Sequence, residues 1–157
     1  MLTADDRFAI LDVIARYNNS CDAFDLDDAL VALTENVHIV LYGNNSEEPM
    51  AIITGHSQLK QALEPRHKHH LSIGVQVRHL IQNPQFLSSD GTLAELRAQV
   101  VVLYQRAADP VNPKPRMVQS GTYHYHLRRT DIGWRIAGLV ARSCGVYSAD
   151  AVYDLQC

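Results

Sequence analysis

A single histidine interrupts an apolar strand pattern near the middle of the chain. Residues 75–86 read VQVRHLIQNPQF, and successive side chains of a strand point to opposite faces of its sheet. Val75, Val77, His79 and Ile81 therefore share one face. His79 lies where the pattern requires an aliphatic core residue. It is either a core histidine that hydrogen-bonds to a neighbour, or a histidine that faces a ligand in a hollow core.

A carboxylate is the second residue that the apolar patterns do not explain. Asp22 lies at the end of the first predicted helix, beside its apolar stripe. A buried carboxylate must find a partner or stay protonated, and a histidine would be a suitable partner. An imidazole oriented by a carboxylate is a competent general base near neutral pH. The alternative is that Asp22 is an ordinary surface residue at a helix end.

Two other groups of histidines are less indicative of chemistry. The run RHKHH at residues 66–70 contains His67, His69 and His70, and its composition is typical of a solvated loop or a helix end. His124 and His126 are two residues apart in a predicted strand and share a face. Such a pair can chelate a metal, but it more often lies on an exposed or interface surface. We expect no metal site, and the sequence assigns no role to these five histidines.

Composition and charge exclude several classes of protein. The 157 residues are enough for one domain, 1–157, with a sizeable core, and the net charge of −3 gives no basic surface for nucleic acid or an anionic membrane. No apolar run approaches the ~20 residues that span a bilayer, and the N-terminus lacks a signal-peptide pattern. Cys21, Cys144 and Cys157 have no CxxC spacing, which indicates free thiols. We expect a cytoplasmic protein without nucleic-acid or membrane partners.

Helices are predicted in the first part of the chain and strands in most of the rest. Thr3 is the predicted N-cap of the first helix, Asp25 caps a short second helix, and a third helix begins at Gly55 and ends before Pro65. Strands are predicted at residues 37–42, 73–86, 92–106, 116–129 and 134–143. This order predicts an α+β domain. Because several strands are apolar on both faces, we also expect a homodimer or a higher homo-oligomer.

Three segments of the sequence resemble the SnoaL-like, or NTF2-like, superfamily. They are YNNSCDAFDLD at residues 17–27, VRHLIQN at 77–83 and GTYHYHLRRTDIGWRIAG at 121–138. They look like the superfamily's first helix with its acidic residues, its central strand and its closing hairpin. The resemblance implies a cone-shaped fold in which three N-terminal helices pack on a strongly curved, mostly antiparallel sheet and enclose a pocket.

Within the superfamily, the closest functional pattern is that of scytalone dehydratase and related lyases that use an Asp–His pair. The resemblance places the catalytic carboxylate on Asp22 and the base on His79. A second pocket histidine of the dehydratase falls on a tyrosine here, so scytalone is not the implied substrate. Tyrosines are the candidates to contact the substrate: Tyr17, Tyr42, Tyr104 and Tyr123. The alternative for Tyr104 and Tyr123 is that they are ordinary core residues.

These observations lead to one leading hypothesis and two alternatives. The leading one is a lyase or isomerase without a cofactor, resembling a dehydratase or cyclase, that acts on a small apolar cyclic or aromatic molecule by proton abstraction. The alternatives are a non-catalytic module that binds a small molecule, and an assembly partner like the small (beta) subunit of a ring-hydroxylating dioxygenase. In the tail, Tyr147, Val152 and Tyr153 are candidates to close the pocket mouth; the alternative is a tail that is loosely packed or part of an interface.

Overall fold

The computed structural model describes residues 1–44, 46–106 and 115–144. It contains three helices, α1 (Ala4–Asp22), α2 (Leu26–Val31) and α3 (Gly55–Ser72), and six strands, β1 (Leu33–Tyr42), β2 (Pro49–Thr54), β3 (Val75–Ser89), β4 (Leu93–Arg106), β5 (Arg116–Thr130) and β6 (Gly133–Ser143). The expected α+β class is confirmed, as are strands close to the five predicted ones. The short strand β2 was not predicted. The expected closure of the pocket by the tail lies outside the described residues.

The six strands form one curved sheet in the order β2-β1-β6-β5-β4-β3. All neighbouring strands are antiparallel except β1 and β6, which run parallel. The register shifts within every neighbouring pair, for example between Gln82 and Gln85 of β3 and between Val102 and Leu103 of β4. Such bulges bend strands and increase their twist, so the sheet can curl around the helices. In the described ranges, no helix is long and apolar enough to cross a membrane.

The first helix is fixed at its start and along one side. Thr3 and Asp6 form a capping box, each side chain bonding to the other's backbone N–H. Asp6 also accepts a hydrogen bond from the Trp134 indole on β6 at 3.1 Å. Ile10 and Ile14 are buried one turn apart, so this face packs on the sheet. The helix therefore carries its last residue, Asp22, to a defined place beside the sheet.

The third helix is longer than the sequence predicted. It continues through Pro65 to Ser72, so the expected end before Pro65 is wrong. A proline inside a helix removes one hydrogen bond and costs about 3 kcal/mol. Burial of Leu59, His67 and His70 against the rest of the protein offsets this local cost.

Strand β3 lies at the edge of the sheet and shows the predicted alternation. Val75 and Val77 are buried while Gln76 and Arg78 are exposed. An edge position also accommodates Pro84, which cannot donate to a neighbouring strand and lies where the register shifts. His79 therefore points to the inner face, and no strand of the described ranges lies on the outer edge of β3.

Candidate functional site

An open cavity lies between the inner face of the sheet, the end of α1 and one side of α3. The space between these walls is about 740 Å³, a figure that includes the open solvent at its mouth. A second space of about 460 Å³ adjoins it, and both are lined by Arg66, His79 and Tyr123. The remaining walls are mainly apolar, including Ile39, Leu41, Ile53, Leu59, Leu63, Val77, Leu139 and Ala141.

Asp22 and His79 meet at this cavity, although they are far apart in the sequence. Asp22 Oδ1 lies 2.5 Å from His79 Nδ1, and Asp22 Oδ2 accepts a 2.8 Å hydrogen bond from the His79 backbone N–H. The Asp22 side chain is 8% exposed and that of His79 is 19% exposed. The imidazole lines the cavity while the carboxylate lies behind it. One carboxylate thus fixes both the backbone and the ring of His79.

The two elements that carry the pair explain this geometry. Because β3 is the edge strand of the described sheet, no strand in that part of the chain accepts the outward N–H of His79, and Asp22 satisfies it. Asp22 ends α1, where the helix dipole disfavours a negative charge. The two hydrogen bonds from His79 compensate for that unfavourable position. A change at either residue would leave a polar group of the other without its partner.

The hydrogen bond to Asp22 uses one ring nitrogen of His79 and leaves the other available to a ligand. Asp22 occupies Nδ1, and within the described residues His79 Nε2 has no hydrogen-bond partner. A carboxylate that accepts from Nδ1–H holds the proton there and leaves the lone pair on Nε2. The arrangement can therefore take a proton from a molecule in the cavity.

Two histidines of α3 form part of the cavity wall, contrary to the expectation of a solvated segment. His67 and His70 are buried and line the cavity, and the Phe24 ring lies 5.1 Å from His67 and 5.8 Å from His70. Burial lowers the pKa of His67, and burial together with the Arg66 charge lowers that of His70 to about 4. Both imidazoles are therefore neutral at neutral pH.

Arg66 is a cavity residue that the sequence analysis missed. Its guanidinium donates a 2.6 Å hydrogen bond to the Tyr104 hydroxyl, and the Arg66 side chain lines both parts of the cavity. Tyr104 is 1% exposed and is not among the described cavity-lining residues. The helical spacing of Leu59, Leu63, Arg66 and His70 was the available signal. This spacing did not lead to a prediction for Arg66, because Pro65 indicated that the helix had already ended.

The three other expected tyrosines reach the cavity in different ways. Tyr17 and Tyr123 line the main cavity, and Tyr42 lines the adjoining space, where the Arg142 guanidinium lies 3.8 Å from its ring centroid. Burial raises the pKa of Tyr17 well above its usual value, so its hydroxyl stays protonated. Burial likewise raises the pKa of the neighbouring Cys21 thiol to about 12. That thiol is therefore not a nucleophile at neutral pH.

The SnoaL-like domain family matches residues 3–140. A comparison with curated protein sequences gives no significant match.

Solved structures share the fold at low sequence identity. An NTF2-like protein with a cystatin-like fold from Novosphingobium aromaticivorans is 22% identical, with 98% of this chain and 90% of that chain covered and a TM-score of 0.72. ActVI-ORFA from Streptomyces coelicolor is 17% identical, with 87% and 96% covered and a TM-score of 0.70. The beta subunit of the benzoate 1,2-dioxygenase from Burkholderia mallei is 14% identical, with 91% of each chain covered and a TM-score of 0.71. The family match covers most of the sequence, and the chain belongs to the SnoaL-like domain family.

Proposed function

We propose that the protein is a lyase or isomerase that starts its reaction by removing a proton from a small apolar molecule. The observation that supports this most directly is the Asp22–His79 pair on the wall of an open, mainly apolar cavity. His79 is the proposed general base, and Asp22 orients it. A positioned general base contributes ~10²–10⁴-fold to the rate.

The cavity provides groups for each part of this step. His79 Nε2 takes the proton from a carbon next to a carbonyl group, and the electron pair of the C–H bond moves to the carbonyl oxygen. Arg66, held by Tyr104, stabilises the resulting oxyanion together with the Tyr123 hydroxyl. The proton is then returned at another carbon for isomerisation, or a leaving group departs for elimination. An attack by the enolate on a second carbonyl would give cyclisation.

The walls indicate the class of substrate. Aliphatic and aromatic side chains form most of the wall, and its polar side chains include those of His79, Arg66 and the two α3 histidines. This distribution fits a cyclic or aromatic molecule with one or two oxygen atoms better than a sugar or a nucleotide. The proposed proton transfer uses the side chains of the chain itself and requires no organic cofactor.

Solvent deuterium exchange tests the proton transfer without knowledge of the natural substrate. The protein is incubated in D₂O with a panel of cyclic ketones that carry acidic C–H bonds, and deuterium incorporation is followed by NMR. We expect exchange that falls ~10²–10⁴-fold in His79→Gln. His38→Gln is the matched control, because that imidazole is exposed and hydrogen-bonds to Thr54 at 3.2 Å on β2. Equal exchange in wild type and His79→Gln, or equal losses in both variants, would refute the role of His79.

Two alternatives make different predictions. A non-catalytic binding module would release a bound molecule unchanged and give no exchange. An assembly partner of a ring-hydroxylating dioxygenase is suggested by the fold that this chain shares with a benzoate dioxygenase beta subunit. The open cavity in the described residues favours a small-molecule site over that role. A stable complex with an oxygenase chain, together with no exchange, would support the assembly role instead.

The number of domains, the cellular location and the oligomeric state are part of the same proposal. We propose one domain over residues 1–157 that acts in the cytoplasm as a homodimer or higher homo-oligomer. The outer face of the sheet supports self-association, because Ile52, Leu80 and Leu93 are exposed on it. Light scattering after size-exclusion chromatography measures the mass. A monomer at micromolar concentration would contradict the oligomer.

A further inference from the structure

Three potential metal ligands converge on the outer face of the sheet, away from the cavity. Glu95 of β4 and His126 of β5 are directly paired across the two strands, and His124 lies two residues earlier on β5. Strand alternation places both imidazoles outside, because Tyr123 and Tyr125 are buried on the inner face. One ligand atom from each of the three side chains lies within 4.8 Å of the others.

The distances within this cluster suit a shared ion better than hydrogen bonds. His124 Nε2 is 3.4 Å from Glu95 Oε2, and His126 Nδ1 is 3.7 Å from Glu95 Oε1. Both are longer than a good N–H···O bond, ~2.7–3.2 Å. Two ligands about 2.0–2.1 Å from a tetrahedral zinc ion are ~3.3 Å apart, which is close to these values. A small movement of the side chains would bring them onto one ion.

Within the described part of the chain, one polar atom of the cluster makes no hydrogen bond. His124 Nε2 is inaccessible to solvent and has no hydrogen bond within the described residues. An unsatisfied buried nitrogen is unfavourable, and binding to a metal would satisfy it. The two imidazole rings are already stacked, with centroids 4.6 Å apart and planes inclined by 28°. Ordering them around an ion therefore requires little further loss of conformational freedom.

The residues beside the cluster leave space for a cation, and the nearest arginine on β4 directs its positive charge elsewhere. Gly138 lies beside His126 on β6, where a Cβ would be 3.3 Å from the His126 ring, so glycine leaves space for the imidazole. Arg97 is opposite His124, but its guanidinium donates to Gln85 on β3 at 3.0 Å. Because β4 separates β3 from β5, that bond draws the positive charge away from the cluster.

We propose that Glu95, His124 and His126 form a binding site for a divalent transition-metal ion of the zinc type. Two imidazole nitrogens and one carboxylate oxygen are a known zinc ligand set, with the fourth position open to water or another ligand. The ion would join β4 to β5 on the face opposite the cavity. The site is therefore separate from the proton transfer proposed for His79.

Calorimetric titration with zinc chloride tests the site after the protein has been dialysed against a chelator. We expect one ion per chain in wild type and binding weakened at least ~10-fold in Glu95→Gln, His124→Gln and His126→Gln. His38→Gln is the matched control, since His38 is an exposed imidazole on the same face and pairs with Gly138. No binding, unchanged binding in the three variants, or an equal loss in the control would overturn the proposal.

Two further measurements separate this site from other effects. Cobalt(II) added to wild-type protein should give the intense visible bands of a four-coordinate site and broaden the NMR signals of the His124 and His126 rings. Broadening confined to His67, His69 and His70 would instead place the ion on α3 and refute the proposal. Deuterium exchange at the cavity should be equal with and without chelator. Failure of the proposed His79 chemistry would therefore leave the metal result intact.

Discussion

Replacement of Asp22 by Asn should move the proton of the neutral His79 ring from Nδ1 to Nε2. In wild type the carboxylate can only accept, so Nδ1 carries the proton and Nε2 has the free lone pair. An Asn side chain at position 22 keeps one oxygen for the backbone N–H of His79, and its NH₂ group then faces Nδ1. Nδ1 must now accept, so the ring proton moves to Nε2. The nitrogen that faces the cavity changes from an acceptor to a donor.

The expected loss of stability is moderate because the shape of the pair is kept. A hydrogen bond to a charged group contributes about 1.5–3 kcal/mol and one between neutral groups about 0.5–1.5 kcal/mol. The two bonds of Asp22 therefore lose about 2 kcal/mol together. Removal of a negative charge from the end of α1 regains about 0.3–1 kcal/mol. We expect the free energy of unfolding to fall by about 1–2 kcal/mol and the fold to be retained.

Nitrogen-15 NMR of the imidazole at alkaline pH distinguishes the two neutral tautomers directly. The expected result is Nδ1–H in wild type and Nε2–H in Asp22→Asn, with the loss of stability measured by urea unfolding. Deuterium exchange at the cavity should fall ~10²–10⁴-fold in the same variant. Asp12→Asn is the matched control, because Asp12 is an exposed carboxylate on the same helix. In Asp12→Asn, the His79 tautomer, the free energy of unfolding and the exchange rate should equal those of wild type.

Two results would refute this reasoning. A wild-type ring with its proton on Nε2 would mean that Asp22 does not control the tautomer. An Asp22→Asn ring that still carries Nδ1–H, with exchange unchanged, would mean that another group orients His79. Either result can be obtained without the natural substrate.

Three further predictions concern other parts of the chain. Hydrogen bonds from the Trp134 indole and from Thr3 lower the Asp6 pKa to about 2. The ionised Asp6 carboxylate therefore stabilises the fold above about pH 4, and this stabilisation is lost as the pH falls toward 2. Melting temperatures measured over that range should depend less on pH in Asp6→Asn than in wild type. Pro65→Ala should raise the free energy of unfolding, measured in urea, by about 2 kcal/mol. Proline in a helix interior costs about 3 kcal/mol relative to alanine. It also stabilises by up to about 1 kcal/mol, because it restricts the unfolded chain, and alanine loses that effect. Cys21 should react with iodoacetamide at neutral pH far more slowly than the exposed Cys144, because desolvation raises the Cys21 pKa to about 12. Mass spectrometry gives the two rates, and equal rates would contradict the raised pKa.

Local patterns in the sequence were sufficient to place the two central residues. The two-residue period of β3 placed His79 on the inner face, and the helical period of α1 placed Asp22 beside an apolar stripe. Both patterns depend only on neighbours in the chain. The contact between the two residues depends on the edge position of β3 and on the sheet's curvature. Periodicity carries no information on either, so the pairing came from the family resemblance.

The third helix shows where local information misleads. Pro65 is a strong local signal for a helix end, but the helix continues because His67 and His70 bury their rings against Phe24 and, for His70, Tyr104. The gain arises from residues distant in the chain, so composition around Pro65 could not reveal it. The position of Arg66 in the cavity was missed for the same reason. Strand β2 was missed because its exposed residues resemble a loop.

The Asp22–His79 pair and the outer cluster differ in how their positions can be explained. An aliphatic residue at position 79 would complete the apolar face of β3, and replacing a buried ionisable pair by apolar residues is often neutral or stabilising. Asp22 also lies at the helix end that disfavours its charge. Stability alone therefore does not explain this pair, and residues that break a local pattern are often functional. Glu95, His124 and His126 break no pattern, because polar residues are expected on an outer sheet face. Their function is inferred from geometry alone, so metal titration is decisive for that site.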